Sequence, residues 1–104
     1  EALAYLVVDV ENGKPMLGRI PDEAVNQFKK EGRSPLTAEE GVALILQHPE
    51  ILKDNCMGLP GSRRGDDKVA DLWLFEGEPR LHWSWANSSL VRWGSASCGS
   101  RVGP

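Results

Sequence analysis

Cysteine is scarce in this sequence: Cys56 and Cys98 are the only two among 104 residues. Two cysteines so far apart make neither a disulfide framework nor a zinc site. Two free thiols in a reducing cytoplasm are the expectation, and a disulfide would require the fold to bring their Cα atoms within about 7 Å. Long hydrophobic runs are missing as well. The longest are Leu6-Val7-Val8 and Val42-Ala43-Leu44-Ile45-Leu46, far short of the roughly 20 residues that a membrane span needs. The first residues show no basic start followed by an apolar stretch, so no secretory leader is read there. An opening at Glu1 rather than methionine is consistent with a longer chain of which these residues are the C-terminal part. Excess positive charge is also lacking. A formal net charge of −3 argues against a protein whose main work is gripping phosphate backbones, although a local basic patch is not excluded. A cytoplasmic protein without membrane association is the expectation.

What is present is an ordinary globular composition, 40% hydrophobic and 26% charged, with room for one domain over residues 1–104 and one core. Leu3 to Val10 is apolar on both alternating faces, as in a strand covered on both sides. Glu11-Asn12-Gly13 is a turn signal, and Lys14 to Ile20 can return as a second strand with Pro15 at its start or on an edge. Pro21 then opens a helical segment. Asp22 and Glu23 lie in its first turn, Lys29 and Lys30 near its end, and Gly32 just beyond, the order that suits a helix dipole and a glycine stop. Thr37 and Glu40 form a capping box directly before the apolar run, and Pro49 limits the helix at about His48. Pro49 to Asp54 adds a further turn.

Asn55 to Lys68, with three glycines, a proline and adjacent charges, reads as a loop. Val69 to Phe75 and Arg80 to Ala86 read as two strands around the turn Glu76-Gly77-Glu78-Pro79. Facing Phe75 with Arg80 puts Leu72, Leu74, Leu81, Trp83 and Trp85 on one face as a core surface. The other face carries Asp71, Trp73, Phe75, Arg80, His82 and Ser84. A short apolar piece near Trp93 and a small, polar tail allow one last strand. The fold class expected is α+β: a small, mainly antiparallel sheet with two or three short helices packed on it.

The residues Gly32 to Thr37, Glu39 to Leu44 and His48-Pro49-Glu50, followed by Gly61 to Asp66, Trp83-Ser84-Trp85 and Gly94 to Cys98, resemble an uncharacterised actinobacterial family of unknown function, DUF5701. The resemblance spans nearly the whole chain. The family pattern commonly has cysteine where Arg64 stands, and glycine and cysteine where His82 and Ser84 stand. Metal or redox chemistry carried by those cysteines is therefore not implied for this chain. The resemblance implies a domain, points to the Gly61–Asp67 segment and implies no activity.

That segment is the leading site candidate. Its glycines would let backbone N–H groups approach an anion, and Arg63 and Arg64 could take a carboxylate or phosphate in bidentate fashion, with Asp66 orienting one of them. Arg63 paired with Asp66 inside a purely structural loop is the plain alternative. No Gly-Lys-Ser/Thr follows at phosphate-loop spacing, and no motif asks for a cofactor or a metal. Trp73 and His82 share a face, Trp73 either covering a second small core or offering a platform to a ligand. The expectation is a non-enzymatic binding or protein-interaction module using the Gly61–Asp67 segment, with Arg63, Arg64, Asp66, Trp73 and His82 as binding residues. Its partner would be a protein or a small anionic ligand. Two alternatives stand beside it. One is a small enzyme using Cys98 or Ser95 with His82, for which no family-specific spacing exists. The other is single-stranded nucleic-acid binding by Arg63, Arg64, Arg80 and Arg92 beside Trp73 or Trp93, which the net acidity disfavours.

Overall fold

The capping box is realised in full in the computed structural model, which describes residues 5–65, 67–88 and 92–102. Thr37 Oγ1 accepts from the Glu40 amide at 3.2 Å, and Glu40 Oε1 accepts from the Thr37 amide at 3.0 Å. Helix α2 runs Ala38–Gln47 from that cap and stops before Pro49. Helix α1, Pro21–Glu31, starts on its proline, carries Asp22 and Glu23 in its first turn and ends on Gly32 at φ 70°. A single turn, α3, follows at Ile51–Asp54.

The central sheet has the strand order β5-β4-β3-β6, where β3 is Cys56–Arg64, β4 Lys68–Phe75, β5 Glu78–Trp85 and β6 Trp93–Ser95. The strands pair antiparallel except β6, which lies parallel to β3. Two small ladders complete the fold: β1 (Leu6–Val8) with β8 (Ser100–Val102), and β2 (Ser34–Pro35) with β7 (Ser97–Cys98). This is an α+β fold, as the sequence pattern implied. The main core lies between one sheet face and the helices, joining Met57, Leu59, Ala70 and Leu72 to Leu36, Ile45, Leu52 and Cys98. Phe28 and Ala24 of α1 close over Met16. On the opposite sheet face Val69, Ala86 and Trp93 form a third cluster, flanked by Cys56 and Trp73.

Several expectations are corrected. Within the described part of Leu3 to Val10, only Leu6–Val8 is strand, and it is largely exposed rather than covered on both faces. Lys14 to Ile20 does not return as a strand. Gly13 turns left-handed at φ 100° and Pro15 lies inside a 3-10 turn, Lys14–Met16, and β1 pairs instead with the far end of the chain. The segment read as a loop after Asn55 is β3, paired on both sides within the sheet. Lastly, the β4–β5 register is shifted by two residues: Phe75 faces Glu78, and Leu72 faces Leu81. Glu76 and Gly77 both take positive φ, 51° and 80°, which makes a tight two-residue turn of the kind that matches strand twist. Pro79 therefore lies inside β5, tolerated because β5 is an edge strand. A shift of two preserves the faces, so the expected division of side chains between them stands. The expected core surface does not: Leu72 is buried and Trp83 half-buried, whereas Leu74, Leu81 and Trp85 are exposed.

Candidate functional site

Helices α2 and α3 cover the inner strands of the sheet and leave the β4–β5 hairpin overhanging. Ala70 and Leu72 are buried under them, whereas Leu81 and Trp85 on the same face are 50% and 53% exposed. Trp83 is half-buried, with one side against the core. Over these rings lie two cations. The Arg64 guanidinium at the end of β3 sits 4.6 Å from the Trp83 ring centroid, and Lys68 Nζ sits 4.8 Å from that of Trp85. Each such contact is worth about 0.5–1 kcal/mol at an exposed site. Neither cation has a carboxylate partner among the described residues, unlike Arg63, Arg33 and Arg101.

Arg63 and Arg64 do not converge. Alternation along β3 sends Arg63 to the other face, where its guanidinium meets Asp22 Oδ1 of α1 at 2.8 Å. Asp66 lies outside the described residues. The glycine and serine of this segment are structural. Leu59 pairs with Ala70 and Arg63 with Val69, so Pro60, Gly61 and Ser62 leave the ladder as a bulge. The Gly61 amide donates to the Leu36 carbonyl at 2.8 Å, and a Cβ there would stand 2.7 Å from that oxygen. Ser62 Oγ accepts from the first amide of α2, Ala38, at 2.7 Å. What looked like an anion-binding loop is the seat of the α2 N-terminus.

The opposite face of the hairpin is organised by Asp71, which is fully buried. Its carboxylate accepts from Trp93 Nε1 at 2.6 Å and from Ser84 Oγ. The Trp93 indole reaches it by lying across Gly58, where a Cβ would stand 2.3 Å from the ring. His82 Nδ1 is 3.8 Å from Asp71 Oδ1 and its ring meets Trp73 edge-on at 6.1 Å. Trp73 thus packs on the third cluster, and its indole nitrogen is buried without a partner among the described residues.

The catalytic combinations do not assemble. Ser95, Gly58, Asp71 and His82 lie in one row across the sheet, so Ser95 and His82 stand three strand spacings apart, about 14 Å. Cys98 sits in the main core on the other face from His82, and burial pushes its thiol up, against the nucleophilic thiolate. Burial likewise raises the Cys56 thiol, Asp71 adding to it. Both cysteines are free. Of the residues proposed for single-strand binding, Trp93 is buried, Arg63 is paired with Asp22, and Arg92 donates to the carbonyls of Lys53 and Asp54.

Lys68 is the residue of this face that the sequence pattern does not single out. It falls at the end of the segment whose composition suggests a loop, and only the strand register reveals that it stands beside Trp85. A cleft of about 440 Å³ between β1 and α2 is lined by Tyr5, Val7, Leu36, Leu44 and Glu40. Glu40 accepts from Tyr5 at 2.7 Å and from Arg101 at 2.6 Å, and this pairing, led by Arg101, lowers its carboxyl to about 2.

Fold and site together define a small α+β domain with one overhanging, aromatic hairpin and no helix, among the described residues, long and apolar enough to cross a membrane. The chain belongs to the family of unknown function DUF5701, whose family model matches residues 1–104. No curated protein and no solved structure matches it.

Proposed function

We propose that this domain is a non-enzymatic binding module of a reducing, cytoplasmic compartment, and that it takes a carboxylate-bearing partner on the hairpin face formed by Arg64, Lys68, Leu81, Trp83 and Trp85. The observation that carries this reading is the pair of cations stacked over the half-buried Trp83 and the exposed Trp85, neither neutralised by a carboxylate among the described residues. Burying an apolar patch of this kind favours association, and the stacked cations select the sign of the ligand. Arg63, held by Asp22, falls outside the face. Tryptophan emission provides the test. Titration with a short acidic, apolar peptide should perturb Trp85, weaken with salt, and weaken about fivefold in each of Arg64→Ala and Lys68→Ala. Equal affinity in the intact protein and both variants would sink the reading. A thymidine oligonucleotide in the same titration separates the nucleic-acid alternative, since preferential binding of it would transfer the face to that ligand class.

A further inference from the structure

We infer that the partner of this face is an extended acidic peptide that adds to the free edge of β5 as an antiparallel fifth strand of the central sheet; the inference rests on the binding face proposed above. The β5 strand is an edge strand, and β4 is the one element among the described residues that packs substantially against it. The tight turn sets the phase of its hydrogen bonds. In a two-residue hairpin the residues flanking the turn, Phe75 and Glu78, form a bonded pair, and bonded and unbonded pairs then alternate. Arg80, His82 and Ser84 therefore bond inward to β4. The Ala86 amide, which continues the same phase, donates to the Asp67 carbonyl at 2.8 Å. Pro79, Leu81, Trp83 and Trp85 consequently direct their backbone groups away from β4, toward the open edge. Pro79 has no amide to offer there, but from Leu81 to Trp85 neither proline nor charge blunts the outward positions, the usual protection of such an edge.

The outward backbone groups belong to the same residues whose side chains form the aromatic face. An added strand would thus gain main-chain hydrogen bonds and side-chain contacts in register. Charge selects its composition. Arg64 has reached from β3 to lie over the β5 ring of Trp83, about one strand spacing of 4.8 Å from a fifth strand. Residues opposite one another in an antiparallel pair share a face, so the acidic residues of the peptide lie over Trp83 and Trp85. Their own amides are the ones that bond to β5.

That last point makes the inference separable from side-chain binding alone. The probe is a short, end-capped peptide alternating glutamate and valine, titrated by tryptophan emission in three forms: unmodified, N-methylated at the glutamates, and N-methylated at the valines. We expect methylation at glutamate to weaken binding about tenfold and methylation at valine to leave it nearly unchanged. Leu81→Pro, which removes an outward amide and no ladder bond, should weaken the unmodified peptide comparably. Equal binding of all three forms, with Arg64→Ala still weaker, overturns strand addition and leaves the binding face standing. Absence of binding by every form overturns both. If the protein sediments as a dimer that Leu81→Pro dissociates and the peptide does not compete, the edge belongs to a second copy and the inference fails.

Discussion

At the scale of single residues, Gly58 shows how a missing side chain can be the functional part of a position. Its backbone is unremarkable for a strand, and only the close approach of the Trp93 ring explains the residue. A methyl group there would collide with a rigid indole rather than with the end of a flexible chain. Displacing that ring would also remove the Trp93 donor from the buried Asp71 carboxylate. Gly58→Ala should therefore destabilise by about 2–4 kcal/mol, combining overpacking with an under-paired buried acid. Urea unfolding measures this, and a loss no larger than that of a surface substitution would contradict it. Glu40 makes a second residue-scale case. Its folded-state carboxyl lies at about 2, below the ordinary 4.5, chiefly through its hydrogen bond to Arg101. A depressed carboxyl contributes stability above its unfolded value and loses it as pH falls toward the folded one. The contribution, at most about 3 kcal/mol, should be complete above pH 4.5 and fade toward pH 2. Glu40→Gln should lower stability at neutral pH and flatten the dependence across that window. An unchanged acid profile in the variant would assign the acid sensitivity elsewhere.

At the scale of elements, what was legible followed from local chemistry. The caps of α1 and α2 are satisfied by neighbours within one turn, so Pro21, Thr37, Glu40 and Gly32 announced both helices. The β4 and β5 strands were legible from their composition and period, and their faces came out correctly. The register did not, because it depends on Glu76 accepting a left-handed backbone, which a glutamate only rarely does. The failure at β3 has a different cause. Pro60, Gly61 and Ser62 carry loop chemistry because they form a bulge, and the strand continues on either side through pairings to β4 and β6 that no local pattern contains. The site was lost with it: the arginine pair reads as a clamp in a loop and as two opposite faces in a strand. The turn itself can be tested. Gly77→Ala should cost about 1 kcal/mol for its positive φ, since open space surrounds the added methyl. Glu76→Asn should instead stabilise by about 0.5 kcal/mol, asparagine being favoured at that turn position. Melting temperatures of the two variants should move in opposite directions, and movement of both downward would mean that the turn is not the tight form described.

At the scale of the whole molecule, stability and availability for binding are distributed in opposition along one sheet. The β3 strand meets helices on its main-core face, α1 through Arg63 and Asp22, and β6 along one edge. The β5 strand rests on β4, and no strand among the described residues pairs with its other edge. Along the hairpin the same gradient repeats. Val69 and Asp71 are fully buried at the base, while Leu74 and Phe75 near the turn are 40% and 56% exposed. Local opening requires little free energy where few apolar contacts are broken, so the tip should open without the rest of the domain. Native-state hydrogen exchange reads this directly from the inward-bonded amides of β5. The amides of Glu78 and Arg80 should exchange through low-energy openings, that of Ser84 more slowly, and those joining β3 to β4 only with global unfolding. Equal protection from Glu78 to Ser84 would mean that the hairpin is as firmly held as the core. The expected gradient would place a yielding strand edge on a rigid base, the combination that lets a bound chain order the tip without remodelling the domain.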